Sequence, residues 1–450
     1  MSQEGTLVEV ADDDQLVQRA AAIDVAKASG MVCTRVPHEA TAGKRVTRVW
    51  QVSATTNAIL GLADQLAAEG IERIVLESTS DYWRPSLLPA GGTWAAGVAG
   101  QRRDVKNVPG RPKTDKLDAV WLAKLNERGM LRPSFVPPVQ LRQLRDYTRL
   151  RTDLTVERSR HVQRMEKLLE DALIKLSSVA TDIMGVSSRA MIEALINGER
   201  DPNVLADLAR GRLRVKHAAL IQALTGRFDE HHADLARVLL SQIDALSGQI
   251  DHLSTRIEAM IAAIPAAQGV DSDGTTGPDA GTGADAALLP AIARLDQIPG
   301  IGTSAAQTII AEIGLDMTQF PTAGHMASWA KLCPRANQSG AKNRSGSTGK
   351  GNPYLKGVLG EVASAAAKTN TFLGQRYRRL VKRLGRLKAL VAIARSIVVI
   401  IWHLLADPTA SYTDLGSDFY DNRINAGRQK RNNIRQLEAL GYKVTLEPAA

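Results

Sequence analysis

The chain has 450 residues, 44% of them hydrophobic, which is enough for two or three buried cores. A formal net charge of +10 and a pI near 9.6 favour a polyanionic partner, most simply nucleic acid. Two cysteines, Cys33 and Cys333, exclude a disulfide framework and a cysteine-based zinc site, and the histidines show no metal-ligand spacing, so a reducing cytoplasm is expected.

Residues 1–18 form an acidic tail without the apolar centre of a secretory leader. From 19 to 138, strands alternate with helices. AAAIDVAK and MVCTRVP read as neighbouring strands turned at Gly30, and RVTRVWQVS as a third. ATTNAILGLADQLAAEG has the spacing of an amphipathic helix that ends at Gly70. IERIVLES is a buried strand with Glu77 near its C-terminal end, and TWAAGVAG is a further candidate strand. TDKLDAVWLAKLNERG predicts a helix with Thr114 as N-cap. The expected fold is an α/β domain, in which ligands gather at strand C-termini.

Residues 139–268 read as helical. Between Ala236 and Ile264 a heptad places Ile243, Ile250, Ile257 and Ile264 at one core position and Leu239, Leu246, Leu253 and Met260 at the other. Ile at one position and Leu at the other is the pattern of parallel two-stranded coiled coils, and the same stripe also suits an intramolecular helical hairpin. The earlier helix, from Leu141 to Leu176, keeps the spacing less well because Arg151 and Arg158 fall on its seam. Residues 269–288 are rich in Gly, Asp and Thr and read as a flexible linker. Residues 289–411 form a second, mostly helical unit, and 412–450 a basic tail with a short helix. The apolar stretch from Leu390 to Ala406, broken by Arg395 and His403, reads as a buried helix rather than a membrane span.

Four acids carry the chemistry of the N-terminal part. Asp24 lies between Ile23 and Val25, where an unpaired carboxylate needs a cation or strong donors. Glu77 ends the next apolar strand, and Asp115 and Asp118, three apart on one helix, share a face. Such a set can converge on one pocket, and its oxygen donors suit Mg²⁺ or Mn²⁺. Two such ions fit phosphodiester cleavage. Singly, each acid has a plainer role: Asp115 beside a helix N-terminus, Asp118 on the surface. Arg102, Arg103, Lys106, Arg111, Lys113 and Lys116 precede and interleave the helical acids, as a grip on a phosphate backbone or as a solvated basic loop.

In the second unit, QIPGIGTSAAQTIIAEIG resembles a helix-hairpin-helix element, whose turn amides meet a phosphate, although a plain interhelical turn reads similarly. Ser339, followed by Gly340, lies among Arg335, Lys342, Arg344 and Lys350. A serine hydroxyl needs a base or metal to become a nucleophile, and no base is evident nearby. Ser345, Ser347 and Thr348 are rival hydroxyls, so the local reading favours a flexible phosphate-binding loop. Arg376, Arg378, Arg379, Lys382, Arg383, Arg386 and Lys388 then form a basic helix face, for nucleic acid or for solvent.

Taken in order, IDVAK, ESTSDYW, GRPKTDKLDAVWLAKL, IPGIG and LCPRANQSG resemble the DEDD transposases of insertion sequences, the bridge-RNA-guided recombinases of the insertion-sequence one-ten family. The resemblance covers about residues 19–411. It implies a RuvC-like (RNase H-like) domain at 19–138 with Asp24, Glu77, Asp115 and Asp118 as DEDD acids, a helical coiled-coil region at 139–268 and a transposase domain at 289–411 with Ser339 as catalytic serine. It further implies a Mg²⁺ or Mn²⁺ cofactor, a structured guide (bridge) RNA, donor and target DNA, and homodimers that pair into a tetramer, with no membrane and a cytoplasmic, nucleoid-associated location. Other readings are a metal-dependent RNase H-like or Holliday-junction-type nuclease without a covalent intermediate, and a non-catalytic nucleic-acid-binding protein.

Overall fold

The computed structural model describes residues 17–41, 43–78, 98–99, 114–131, 137–268, 289–334, 338–339, 342–343, 346–420 and 426–446. The chain divides into two units, Met1–Val136 and Pro137–Ala450.

The N-terminal unit is built on a five-stranded sheet in the order β3-β2-β1-β4-β5. The strands are β1 (Ala20–Val25), β2 (Ser29–Pro37), β3 (Arg45–Ser53), β4 (Arg73–Ser78) and β5 (Val98–Ala99). The first three are antiparallel neighbours, whereas β4 runs parallel to β1 and β5 parallel to β4. The turn expected at Gly30 comes earlier. Gly30 is already inside β2, opposite Val25, where an added Cβ would press on Ile23 Cγ2 at 3.0 Å.

Strand alternation splits the core into two layers. Ala21, Ile23, Val25, Val32, Ile74 and Leu76 pack with Leu62 and Leu66 of α1 (Thr56–Ala68). Ala22, Cys33 and Val75 pack with Ala119, Leu122 and Ala123 of α2 (Asp115–Glu127). Thr114 caps α2 as expected, its hydroxyl accepting from the Leu117 N–H at 3.3 Å.

The Pro137–Ala450 unit is helical. Its longest elements are α3 (Val139–Asp171) and, after the short α4 (Leu176–Val179), α5 (Val186–Ile196), α6 (Pro202–Asp207) and α7 (His217–Leu224), the equally long α8 (Glu230–Ala262). α3 and α8 lie against each other. They run antiparallel: Arg158 Nε donates to Ser247 Oγ at 2.8 Å, while His232 Nε2 meets Asp171 Oδ2 at 3.3 Å. Ile243, Leu246, Leu253 and Ile257 of the stripe are therefore buried within the chain, in a helical hairpin with α3. Met165, Leu169, Leu195, Leu205, Leu220 and Leu240 form the core where the short helices close over this pair.

Beyond lie α9 (Ala291–Asp296), α10 (Thr303–Ile313), α11 (Ala323–Trp329), the two-residue strands β6 (Gln338–Ser339) and β7 (Lys342–Asn343), α12 (Pro353–Ala366), α13 (Phe372–Leu384), α14 (Arg386–Ala406) and α15 (Ala426–Ala439). By length and composition α14 is long and apolar enough to cross a membrane. It packs against α9, α11, α12 and α13, burying Ile393, Ile397 and Ile401 and leaving Arg395 and His403 exposed. Its apolar run thus serves the core of this unit.

Candidate functional site

Parallel pairing of β1 with β4 makes Asp24 and Glu77 direct partners in register. Paired residues on adjacent strands present their side chains to the same face. That face is the one covered by α2, because Ala22 and Val75, two residues earlier on each strand, belong to the α2 layer. Glu77 is 8% exposed and Asp24 half-buried, and both side chains have polar partners.

α2 brings the other two acids to the same end of the sheet. Near its C-terminus Asn126 is buried, and its Nδ2 donates to the Ala21 carbonyl at 2.9 Å and the Arg73 carbonyl at 3.0 Å. This fixes the last turn of α2 over the starts of β1 and β4. Eight residues back along the helix, Asp118 is roughly 12 Å away at 1.5 Å per residue. From Ala21 to Asp24 and from Arg73 to Glu77 the strands advance roughly 10–13 Å at 3.3 Å per residue. Asp118 therefore stands level with the strand pair, and Asp115 about one turn further out. Asp118 is half-buried with a polar partner, Asp115 is exposed, and both sit in the first turn, where the helix dipole favours negative charge. Among the described residues no three or more His, Cys, Asp or Glu side chains form a group that could hold a metal ion. The four acids carry the oxygen donors that a hard divalent cation takes, but the described structure does not gather three of them into one metal-holding group, so the expected convergence on one pocket is limited to the register pair Asp24 and Glu77.

The loop cations Arg102, Arg103, Lys106, Arg111 and Lys113 lie outside the described residues, while Lys116 is exposed on α2 beside the acids. In the other unit Ser339 is in β6, paired in register with Lys342 of β7. Arg335 and Arg344 lie outside the described residues, and Lys350 is exposed. The segment after the serine is anchored. Asn352 Nδ2 donates to Glu312 Oε2 at 2.5 Å, and its Oδ1 caps α12 by accepting from Tyr354 N at 3.0 Å and Leu355 N at 3.2 Å. The expected turn between α9 and α10 is present, with Gly300 at φ +91° set so tightly that a Cβ would meet the Val362 carbonyl oxygen at 2.6 Å. One side of the hairpin thus rests on α12. Gly302, the N-cap of α10, has open space around it, and the first α10 residues, Thr303 and Ser304, are exposed. Arg376, Arg379, Lys382 and Arg383 share α13.

Sequence reasoning missed two polar residues of consequence. Glu312, fully buried, is hidden in the sequence inside an apolar helix run, and Tyr420, which holds Arg376 and Arg379, falls within the basic tail that the sequence suggests. The aromatic pair Phe419–Tyr420 in otherwise polar surroundings was the available signal for the second.

Residues 21–174 match the DEDD transposase model of IS110, described as "Transposase", and residues 292–378 match the model described as "Transposase IS116/IS110/IS902 family". Together these stretches take in more than half of the chain. The chain belongs to the IS110 family of transposases. The first IS110 stretch contains Asp24, Glu77, Asp115 and Asp118, and the second contains Ser339. A "Putative transposase y4rJ" of Sinorhizobium fredii is 28% identical over 354 residues, 75% of this chain and 72% of that protein. An "Insertion element IS110 uncharacterized 43.6 kDa protein" of Streptomyces coelicolor is 30% identical over 135 residues, so that the match spans 30% of this chain and 31% of that protein.

Proposed function

We propose that the protein is an RNA-guided DNA transposase of an insertion sequence, which cleaves and exchanges strands with Asp24, Glu77, Asp115 and Asp118 and with Ser339 as nucleophile. The observation that carries this is the register pairing of Asp24 with Glu77 beneath the helix that bears the other two acids. The sheet order, three antiparallel strands continued by parallel ones, supports an RNase H-like (RuvC-like) reading of residues 19–138. Residues 289–411 are then the transposase domain, reached through the linker at 269–288.

The four carboxylates would hold Mg²⁺ or Mn²⁺, which when bound supplies Lewis-acid stabilisation of the charge on phosphate oxygens. The rest falls to the chain's own groups. The Ser339 hydroxyl displaces a deoxyribose oxygen at phosphorus, giving a phosphoserine diester. Its proton passes to a carboxylate of the acid set supplied by another protomer and on to the departing sugar oxygen, which is released as a hydroxyl. One P–O bond forms as one breaks, so the linkage is kept, and attack by another strand's hydroxyl restores both a continuous strand and the serine. Lys342, Lys350 and the arginines at 335 and 344 would offset phosphate charge around the serine, and the loop cations from Arg102 to Lys116 would do so near the acids. A structured guide RNA pairing with donor and target DNA would set sequence choice, in a homodimer that assembles to a tetramer.

The test is a denaturing gel of labelled donor and target DNA incubated with the protein, Mg²⁺ and the RNA that copurifies with it. Wild type should give a covalent protein–DNA adduct, Ser339→Ala none, and Asp24→Asn should reduce cleavage by more than about 100-fold. Cleavage without an adduct, unchanged in Ser339→Ala, would instead establish a water-using nuclease. Copurified RNA of random cellular origin would remove the guided part of the proposal.

A further inference from the structure

An open cleft of about 550 Å³ lies on the C-terminal unit, walled by Arg376, Arg379, Leu380, Arg383 and Tyr420. Arg379, Arg383 and Tyr420 lie beyond residue 378, where the second family match ends. The three arginines are spaced i, i+3, i+7 on α13, so they follow one face for roughly 10 Å. Among the described residues no carboxylate pairs with any of them. Arg378, elsewhere on the same helix, is by contrast engaged, donating to Gln375 Oε1 at 3.0 Å and to the Thr369 carbonyl at 3.2 Å.

Tyr420 organises the cleft. Its ring stacks on Phe372 at 5.5 Å and 19°, and the Arg379 guanidinium lies 4.6 Å from its centroid. With both neighbours against it, the ring supports Arg379 instead of offering a platform to a base. The Tyr420 hydroxyl accepts from Arg376 Nη1 at 2.7 Å, which leaves its own hydrogen to donate. Arg376 Nε is buried and has no acceptor among the described residues. A buried N–H without an acceptor is costly, and here it borders a cavity whose described lining carries three arginines and no carboxylate.

These features call for an anion with several oxygens, repeated along the helix. A face of roughly 10 Å is long enough to meet more than one successive phosphate of a strand. A free phosphate would satisfy only one position. We infer that this cleft seats the phosphodiester backbone of a nucleic acid strand, with Arg376, Arg379 and Arg383 as contacts and Tyr420 as the residue that positions them. The inference rests on the proposed function in requiring a nucleic acid partner, and it names where the C-terminal unit grips one.

The test is fluorescence anisotropy of the full-length protein with labelled duplex DNA and with single-stranded RNA, each of two unrelated sequences, over a salt series. The double variant R379Q/R383Q should bind more weakly regardless of sequence. Its log K against log salt slope should flatten by about 1.8 on duplex DNA or about 1.4 on a single strand. Tyr420→Leu should flatten the slope in the same sense, because Arg379 loses its support. Tyr420→Phe, which keeps the ring, should restore the wild-type slope while binding several-fold more weakly. Loss in one arm alone identifies DNA or RNA as the occupant. A double variant that keeps its wild-type circular dichroism and melting point but binds both polymers with unchanged affinity and slope overturns the cleft and leaves the transposase reading standing. Wild-type protein that binds neither polymer overturns both.

Discussion

Glu312, fully buried on α10, accepts from Arg149 Nε at 2.7 Å and Nη2 at 2.8 Å, a two-pronged pair joining α3 to the helix that follows the hairpin. The same carboxylate takes the Asn352 amide, and Arg145 stands 3.5 Å from it. Glu312→Ala strands two guanidinium groups in a low-dielectric site and should cost about 3–5 kcal/mol, read by urea denaturation. Asn352→Asp is the sharper variant. Asp caps a helix as well as Asn does, so any loss of stability reports the lost amide donor and the like-charge contact at Glu312 and not the cap.

Arg151 is 5% exposed on the seam of α3, where a heptad would have an apolar residue. Its Nη1 donates to Gln307 Oε1 at 2.6 Å and its Nη2 to the Ser304 carbonyl at 3.3 Å. Arg151→Leu should therefore destabilise, by about 1–3 kcal/mol, because the buried Gln307 amide loses its donor. Adding Gln307→Leu should recover most of that loss, a coupling that a double-mutant cycle measures. Size-exclusion elution should be the same for all three proteins, since α8 already occupies the α3 seam.

Acid should weaken the N-terminal unit through Glu127. Burial pushes its carboxyl up, but Arg35 at 2.5 Å and Arg45 at 3.0 Å outweigh burial and hold it below the ordinary 4.5. A depressed folded value contributes stability that is complete above the ordinary value and disappears as pH falls through the folded one. Melting temperatures from pH 6 to 3 should fall more steeply below pH 4.5 for wild type than for Glu127→Gln. Parallel curves would remove Glu127 from the acid limb.

Cys33 should be chemically silent in the native state. It is fully buried beneath α2, and burial pushes its thiol up to about 11, with Arg35 and Lys124 only partly offsetting this. Cys333 is partly exposed. Titration with a thiol reagent at pH 8 should modify Cys333 quickly, and Cys33 only at the rate of unfolding or in denaturant.

The strands around Asp24 and Glu77 were legible because period-two alternation and apolar runs survive in the sequence. Their register was not, since a parallel pairing across fifty residues leaves no local trace. The alignment of α2 was equally hidden, for it depends on Asn126 reaching two carbonyls from strands far away in the chain. The α8 stripe was readable as a face, but periodicity names no occupant. The clue lay in Arg151 and Arg158, since a charge on a seam requires polar groups opposite, and Gln307 and Ser247 supply them. The aromatic pair Phe419–Tyr420 marks the position of Tyr420 but not its role, because stacking with Phe372 requires a return of the chain over α13 that no local pattern encodes.

The short turn Pro265–Ala267, just after α8, packs against α9, Ala291–Asp296. The described residues that flank 269–288 are therefore neighbours in this unit. Closing a loop of this kind costs only about 0.6 kcal/mol per doubling of its length. Because the two flanking points are neighbours, a fluorescent reporter spliced between them should leave α8 and α9 packed as they are.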